Sequence, residues 1–257
     1  MSADRKKAVQ AQFGRQASWY GVSQVHRGSA GLAELVRLAA PSPDARALDI
    51  ATGTGFTALA VAPQCHRVIG VDLTLEMMRE ARRLAGEQGV SNLRFCLGDA
   101  EAVPFRDNTF DIVTCRHASH HFPNLARAIS EMARVATPGG RVIVDDTCTP
   151  EDPELAALMN EWEVRRDPSH IANHPPGRLR AMLEACGLEV DAATLTHVPL
   201  VFSDWVRRGG VSESNADSLR ASLLGASPDA RSAFRIESVN GDVYFAWPEI
   251  VILGVKR

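Results

Sequence analysis

Three apolar runs of the chain each end at a carboxylate, and a glycine-rich turn follows the first. The runs are Ala47-Leu48-Asp49-Ile50-Ala51-Thr52-Gly53-Thr54-Gly55-Phe56, Val68-Ile69-Gly70-Val71-Asp72 and Phe95-Cys96-Leu97-Gly98-Asp99-Ala100-Glu101. A glycine turn at the start of a helix lets the backbone approach a ligand. It also points free N–H groups and the positive end of the helix at negative charge. A carboxylate at a strand tip, as expected for Asp72, can accept both hydroxyls of a ribose. Asp99 can accept from an adenine amino group while the Ala100 N–H meets a ring nitrogen. Asp49 stands directly before the turn, where a pyrophosphate would be repelled and a cationic amino acid welcomed. Together these residues favour an adenosine carrying a cationic amino acid, S-adenosylmethionine (SAM), over a dinucleotide. Gly53-x-Gly55-x-x-Ala58 also satisfies the loose dinucleotide pattern, so an NAD(P)-dependent oxidoreductase is the competing reading.

A second group of residues faces the same edge. Arg116-His117-Ala118-Ser119-His120-His121-Phe122 follows the fourth expected strand, with three histidines within five residues. His120 reads most simply as a loop residue that satisfies backbone and packs against the next helix. His121 and His117 are candidates to line the pocket and move a proton. Arg165-Arg166-Asp167-Pro168-Ser169-His170 lies further on, and His170 is the preferred general base. Arg166 suits an anionic or phenolate oxygen, or else is a solvated helix residue. Trp162, Trp205 and Trp247 would wall a flat acceptor or simply pack. A metal held by His117, His121 and His170 is conceivable, but the sequence shows no carboxylate cluster beside them, and no metal site is expected.

These residues need a scaffold that brings strand tips to one edge. Strands are expected at 46–51, 67–72, 93–97, 110–115 and 141–145, and helices at 55–61, 75–88 and 124–135. Alternation of this kind gives a doubly wound, mostly parallel sheet with helices on both faces. Residues 4–40 read as amphipathic helix, broken around Gly21–Gly31. After Asp146 the pattern loosens, with helices at 153–166, 175–186, 204–208 and 214–224. A strand is expected at 188–195 and a closing strand pair at 242–255. Pro138-Gly139-Gly140 is expected to end the helix before the fifth strand. The whole reads as one domain, 1–257: N-terminal lid helices (1–40), a cofactor-binding core (41–146), and a substrate cap with closing strands (147–257).

The 257 residues are 45% hydrophobic and 23% charged, with a net charge of −3. That balance gives no electrostatic case for nucleic acid or a membrane surface. The five cysteines are scattered with no C-x-x-C pair, so neither disulfide framework nor zinc site is indicated. The N-terminus carries no apolar run for a signal peptide, and no stretch suits a membrane span. A cytoplasmic protein is expected, with a homodimer compatible with the sequence.

The ordered set Asp49-Ile50-Ala51-Thr52-Gly53-Thr54-Gly55, Val71-Asp72, Gly98-Asp99-Ala100-Glu101, Phe110-Asp111, His120-His121-Phe122 and Pro138-Gly139-Gly140 resembles the class I SAM-dependent methyltransferases. The similarity is to the type 11 subgroup, which includes the ubiquinone and menaquinone C-methyltransferases, and covers about residues 10–195. It implies a seven-stranded sheet in the order 3-2-1-4-5-7-6 with the last strand antiparallel. It implies SAM contacts from Ala51, Thr52, Gly53 and Gly55, from Asp72 and Leu73, from Gly98, Asp99 and Ala100, and from Asp49 and Arg116. Phe13–Tyr20 resembles the family's lid segment, with Tyr20 over the methionine end. Ala51 stands where the family often has glycine. The activity implied is methyl transfer to an oxygen or carbon nucleophile of a small acceptor that is aromatic, quinol-like or a natural product. A SAM-binding protein of the same fold that no longer methylates is the alternative.

Overall fold

The computed structural model describes the backbone of residues 2–20 and 29–257, and the side chains of 3–17 and 29–257. Chain order is α1 (Ser2–Tyr20), α2 (Ala30–Ala39), β1 (Arg46–Ile50), α3 (Phe56–Val61), β2 (Arg67–Asp72), α4 (Leu75–Glu87), β3 (Leu93–Leu97), β4 (Phe110–Arg116), α5 (Leu125–Val135) and β5 (Ala136–Thr147). Then follow α6 (Pro153–Arg166), α7 (Pro176–Ala185), β6 (Leu188–Val201), α8 (Phe202–Gly209), α9 (Glu213–Leu224), α10 (Pro228–Ala233), β7 (Glu237–Val239) and β8 (Asp242–Lys256).

The strands form one sheet in the order β3-β2-β1-β4-β5-β8-β6, with β7 paired to β8. The first five are parallel, and β8 runs antiparallel to both β5 and β6. This is the expected doubly wound order with one short strand added. Order reverses between β1 and β4, so the crevice for a ligand opens beyond the carboxyl ends of those strands.

Helix α4 shows why the pattern folds this way. Met77, Met78, Ala81, Leu84 and Ala85 recur at three- and four-residue spacing and are all buried. On the opposite face of the sheet, α5 buries Leu125, Ala128, Ile129, Met132 and Ala133, and its cap Asn124 accepts from the Arg127 N–H at 3.0 Å. One core therefore lies under α5 and α7, and a second lies under α2, α3 and α4. A third joins the segment after β5 to the C-terminal hairpin through Met159, Trp162, Trp205, Leu219, Phe234 and Trp247.

Three expectations need correcting. Residues 242–255 form one long strand, not a pair. The hairpin partner is β7, reached through Asn240-Gly241, whose φ angles of 51° and 83° suit a primed turn. Second, β5 does not wait for the Pro138-Gly139-Gly140 stop. It starts at Ala136, opposite Phe110, bulges, and resumes at Arg141 opposite Ile112. Third, β6 runs on to Val201 because β8 is long enough to pair with it throughout. The break around Gly21–Gly31 lies outside the described residues as far as Gly28.

Gly70 in β2 shows how tightly the sheet meets the glycine turn. A Cβ there would lie 2.7 Å from the Phe95 ring and 2.8 Å from Thr52 Cγ2. Gly70→Ala is expected to destabilise the fold by about 1–3 kcal/mol through overpacking. A lower urea midpoint with an unchanged slope would show it, and an unchanged midpoint would refute it.

Candidate active site

A cavity of about 230 Å³ opens at the carboxyl edge of the sheet and is continuous from the glycine turn to the third core. At one end Ala51, Thr52, Gly53, Asp72, Leu73, Gly98, Asp99, Ala100 and Arg116 line it together. Gly53 has a φ of 54°, and a Cβ there would meet nothing within 4 Å, so the backbone is bare toward the cavity. The Gly53 N–H donates to Asp72 Oδ2 at 2.8 Å, and the Thr74 N–H donates to Asp72 Oδ1 at 2.8 Å. Burial raises the Asp72 pKa above the usual carboxylate value, while these N–H groups oppose that rise. The carboxylate is thus held in one orientation at the strand tip.

Two expected residues stand one layer behind. Asp49 is buried, and its oxygens accept from Thr52 Oγ1 at 2.6 Å and Thr114 Oγ1 at 2.7 Å. Burial pushes its pKa up to about 6, against those hydroxyls and Arg116. Asp49 itself does not line the cavity, whereas its partner Thr52 does. Gly55, with φ of 86°, turns the chain into α3 and faces Phe95 and Ala81. Ala51 holds a left-handed φ of 53°, a conformation costing roughly 1–2 kcal/mol for a non-glycine residue. Arg116 Nε donates to Thr57 Oγ1 at 3.0 Å. Tyr20 ends α1, and its side chain lies outside the described residues.

The other end of the cavity carries the histidines. Ser119–His121 form a short 3-10 turn after β4. His120 Nδ1 lies 2.7 Å from Asp146 Oδ1, and Asp146 Oδ2 accepts from Ser119 Oγ at 2.6 Å. Burial opposes charge on His120, but the Asp146 carboxylate outweighs it and the imidazole pKa is raised. Burial likewise opposes charge on Asp146, yet His120 and the hydroxyl hold its carboxyl well below the usual range. Burial and the charge of His120 bring His121 down to about 3, with Nδ1 donating to the Ser169 carbonyl at 3.1 Å. Burial brings His170 down to about 4, and its Nε2 donates to Asn160 Oδ1 at 3.0 Å. The His120 ring centroid sits 4.2 Å from that of His121 and 5.3 Å from that of His170. His117 is parted from this trio: its Nε2 lies 2.9 Å from Glu249 Oε1.

Trp205 and Trp247, both buried, line the cavity, whereas Trp162 does not line it and donates to Ser222 Oγ at 2.8 Å. Both lining indoles donate to Glu163 Oε1, Trp205 at 3.1 Å and Trp247 at 2.5 Å. Arg166 donates to Glu163 Oε2 at 2.8 Å, so it is a paired wall residue rather than a solvated one. Val198 and Leu200 complete an aromatic and aliphatic chamber.

Residues 48–144 match the methyltransferase domain family. The chain is 37% identical over 247 residues to the YcgJ methyltransferase of Bacillus subtilis, covering 95% of this chain and 98% of that one. The crystal structure of YcgJ superposes with a TM-score of 0.85 at 38% identity, over 88% of this chain and 98% of that one. The chain belongs to the type 11 class I SAM-dependent methyltransferases. It is also 32% identical over 223 residues to a demethylmenaquinone methyltransferase of Deinococcus radiodurans, covering 75% of this chain and 90% of that one.

In this methyltransferase the α1 helix contributes Lys6, which sequence reasoning missed, and Phe13 of the expected lid segment. Lys6 Nζ lies 2.7 Å from both Asp99 Oδ2 and Glu101 Oε2, and Phe13 meets the His121 ring edge-on at 4.9 Å. Nothing in the pattern of α1 singles out Lys6 among its neighbours Arg5 and Lys7. No helix among the described residues is long and apolar enough to cross a membrane.

Proposed function

We propose that this enzyme methylates an oxygen or acidic carbon of a small, flat acceptor of the phenol or quinol class, and that His120 is its general base. One observation carries the reading: a single cavity joins the Gly53–Asp72 cradle to the Asp146–His120 pair beneath Trp205 and Trp247. The cradle fits the adenosyl cofactor on its own geometry, because Gly53 is bare and Asp72 is fixed by two backbone N–H groups. Asp72 and Leu73 would hold the ribose, Gly98 to Ala100 the adenine, and Ala51 to Gly53 with Arg116 the methionine end. SAM bound there supplies a methyl carbon already activated by its sulfonium.

The protein's work is alignment, exclusion of water and one proton transfer. With its Nδ1 proton donated to Asp146, His120 presents Nε2 as the basic nitrogen. It would take the acceptor proton, leaving the electron pair on the acceptor atom that attacks the methyl carbon, for which the bound cofactor would supply a neutral thioether as leaving group. Asp146 stabilises the imidazolium that forms. His170 and His121, both kept neutral by burial, shape the chamber around this ring. His120 therefore replaces His170 as the preferred base. Within residues 147–257 the segments outside β6 and β8 act as the acceptor cap while those two strands close the sheet, in a cytoplasmic enzyme.

The test is transfer of labelled methyl from SAM to a panel of phenols, hydroquinones, 1,3-dicarbonyl compounds, amines and thiols, with S-adenosylhomocysteine counted as the second product. Transfer confined to acceptors with an ionisable O–H or C–H supports the reading. Transfer only to amines or thiols would overturn it, as would cofactor binding with no turnover on any acceptor.

A further inference from the structure

The geometry points to a divalent transition-metal site formed by His117, Asp145 and Glu249, on the side of the sheet edge away from the His120 pair. The three residues come from adjacent strands. His117 directly follows β4, Arg116 is in register with Asp145 on β5, and Thr147 of β5 is in register with Glu249 on β8. One ligand atom from each lies within 4.8 Å of the others. His117 Nε2 is 2.9 Å from Glu249 Oε1 and 4.0 Å from Asp145 Oδ1. For an octahedral ion with metal–ligand bonds of about 2.1 Å, neighbouring ligands lie about 3 Å apart and opposed ones about 4.2 Å. The two measured separations fall at those spacings.

Asp145 supplies the independent observation. It is 0% exposed, and among the described residues neither of its oxygens has a hydrogen-bond partner. Every comparable carboxylate at this edge is satisfied: Asp49 by two hydroxyls, Asp72 by two N–H groups, Asp146 by Ser119 and His120. A buried carboxylate left unpartnered costs several kcal/mol. The first turn of α2 closes over it. A Cβ on Gly31 would lie 2.9 and 3.0 Å from the two Asp145 oxygens and 3.0 Å from Glu249 Cδ, so only glycine lets the helix seat there. Even so, no N–H of that turn donates to Asp145. Glu249 keeps Oε1 toward His117 while Oε2 accepts from Thr196 Oγ1 at 2.8 Å, a bond that would orient a ligating carboxylate.

Charge and ligand type select the ion. Two carboxylates and one neutral imidazole balance a dication. The imidazole favours zinc, copper, iron or nickel over magnesium or calcium. His117 holds a left-handed φ of 49° that aims its ring at this pair, backbone strain of the sort found at functional sites. Because His117 also lines the cavity, the ion would sit at the cavity wall and tie the ends of β4, β5 and β8 together.

The experiment uses full-length protein stripped with a chelator and titrated with Co²⁺, read by visible absorption and calorimetry. One equivalent is expected to bind with protein-dependent d–d bands, and Asp145→Asn and Glu249→Gln each to weaken it by at least about tenfold. Zn²⁺ is expected to raise the melting temperature of the wild type and to leave that of Asp145→Asn unmoved. Absence of protein-dependent bands in the folded wild type would overturn the site. So would equal affinity in the two folded, near-isosteric variants, which would assign the cobalt to surface histidines.

Discussion

Asp72→Ala is expected to lower affinity for SAM about 100-fold in a protein that still folds. The carboxylate already accepts from the Gly53 and Thr74 N–H groups at 2.8 Å each. Those bonds fix its plane, and the remaining lone pairs face the cavity that Asp72 lines. A hydrogen bond to a charged group contributes about 1.5–3 kcal/mol, and two ribose hydroxyls share this acceptor. Losing about 3 kcal/mol corresponds to roughly 100-fold in affinity. The substitution also orphans the Gly53 and Thr74 N–H groups, at a cost of about 1–3 kcal/mol of stability for each, so a melting shift and a binding loss are measured separately. Asp72→Asn keeps the shape but loses the charge and one pair of acceptor sites, so its affinity should fall between the two. Calorimetry showing unchanged affinity in folded Asp72→Ala would remove the ribose role.

The part of the site that was legible in the sequence is the part built from short separations. Asp49, the glycine turn and Asp72 fall within one strand–helix–strand unit, and a parallel sheet forces both strand tips to the same edge. Periodicity of 3.6 and buried apolar runs carried the helices and central strands for the same reason: each is a local signal. What escaped is side-chain pairing across the fold. Lys6 meets Asp99 across 93 residues, His120 meets Asp146 across 26, and Trp247 meets Glu163 across 84. His120 was read as a loop residue because nothing near it in sequence could orient an imidazole. The partner that does so stands at the end of the neighbouring strand, beside an aspartate of the opposite fate. Asp145 and Asp146 are consecutive, so their side chains leave β5 on opposite faces. One meets His120 and Ser119; the other is buried beside His117 and Glu249. A carboxylate cluster assembled from β5 and β8 leaves no trace in spacing, which is why a metal was not expected there.

His120→Gln and Asp146→Asn are expected to cut turnover by about 10²–10⁴-fold while leaving SAM affinity nearly unchanged, since neither side chain belongs to the cradle. The two act as a unit, so the double variant should be little worse than the more damaging single one. A pH profile distinguishes a base from a merely structural ring. The reactive form of His120 is neutral, so the rate must rise with pH through its pKa. That pKa lies above the ordinary imidazole value because Asp146 outweighs burial, with further support from Glu163 and Asp167. In Asp146→Asn the attraction is gone and burial remains, so the acid limb should move to lower pH even as the maximal rate falls. His170→Ala, by contrast, removes a ring already neutral throughout that range. It should lower turnover through looser packing around His120, by less than His120→Gln does, and leave the acid limb close to its original position. If the limb follows His170 instead, or if His120→Gln turns over normally, proton transfer belongs elsewhere in the chamber, and positioning alone would account for the chemistry at the Asp146 end.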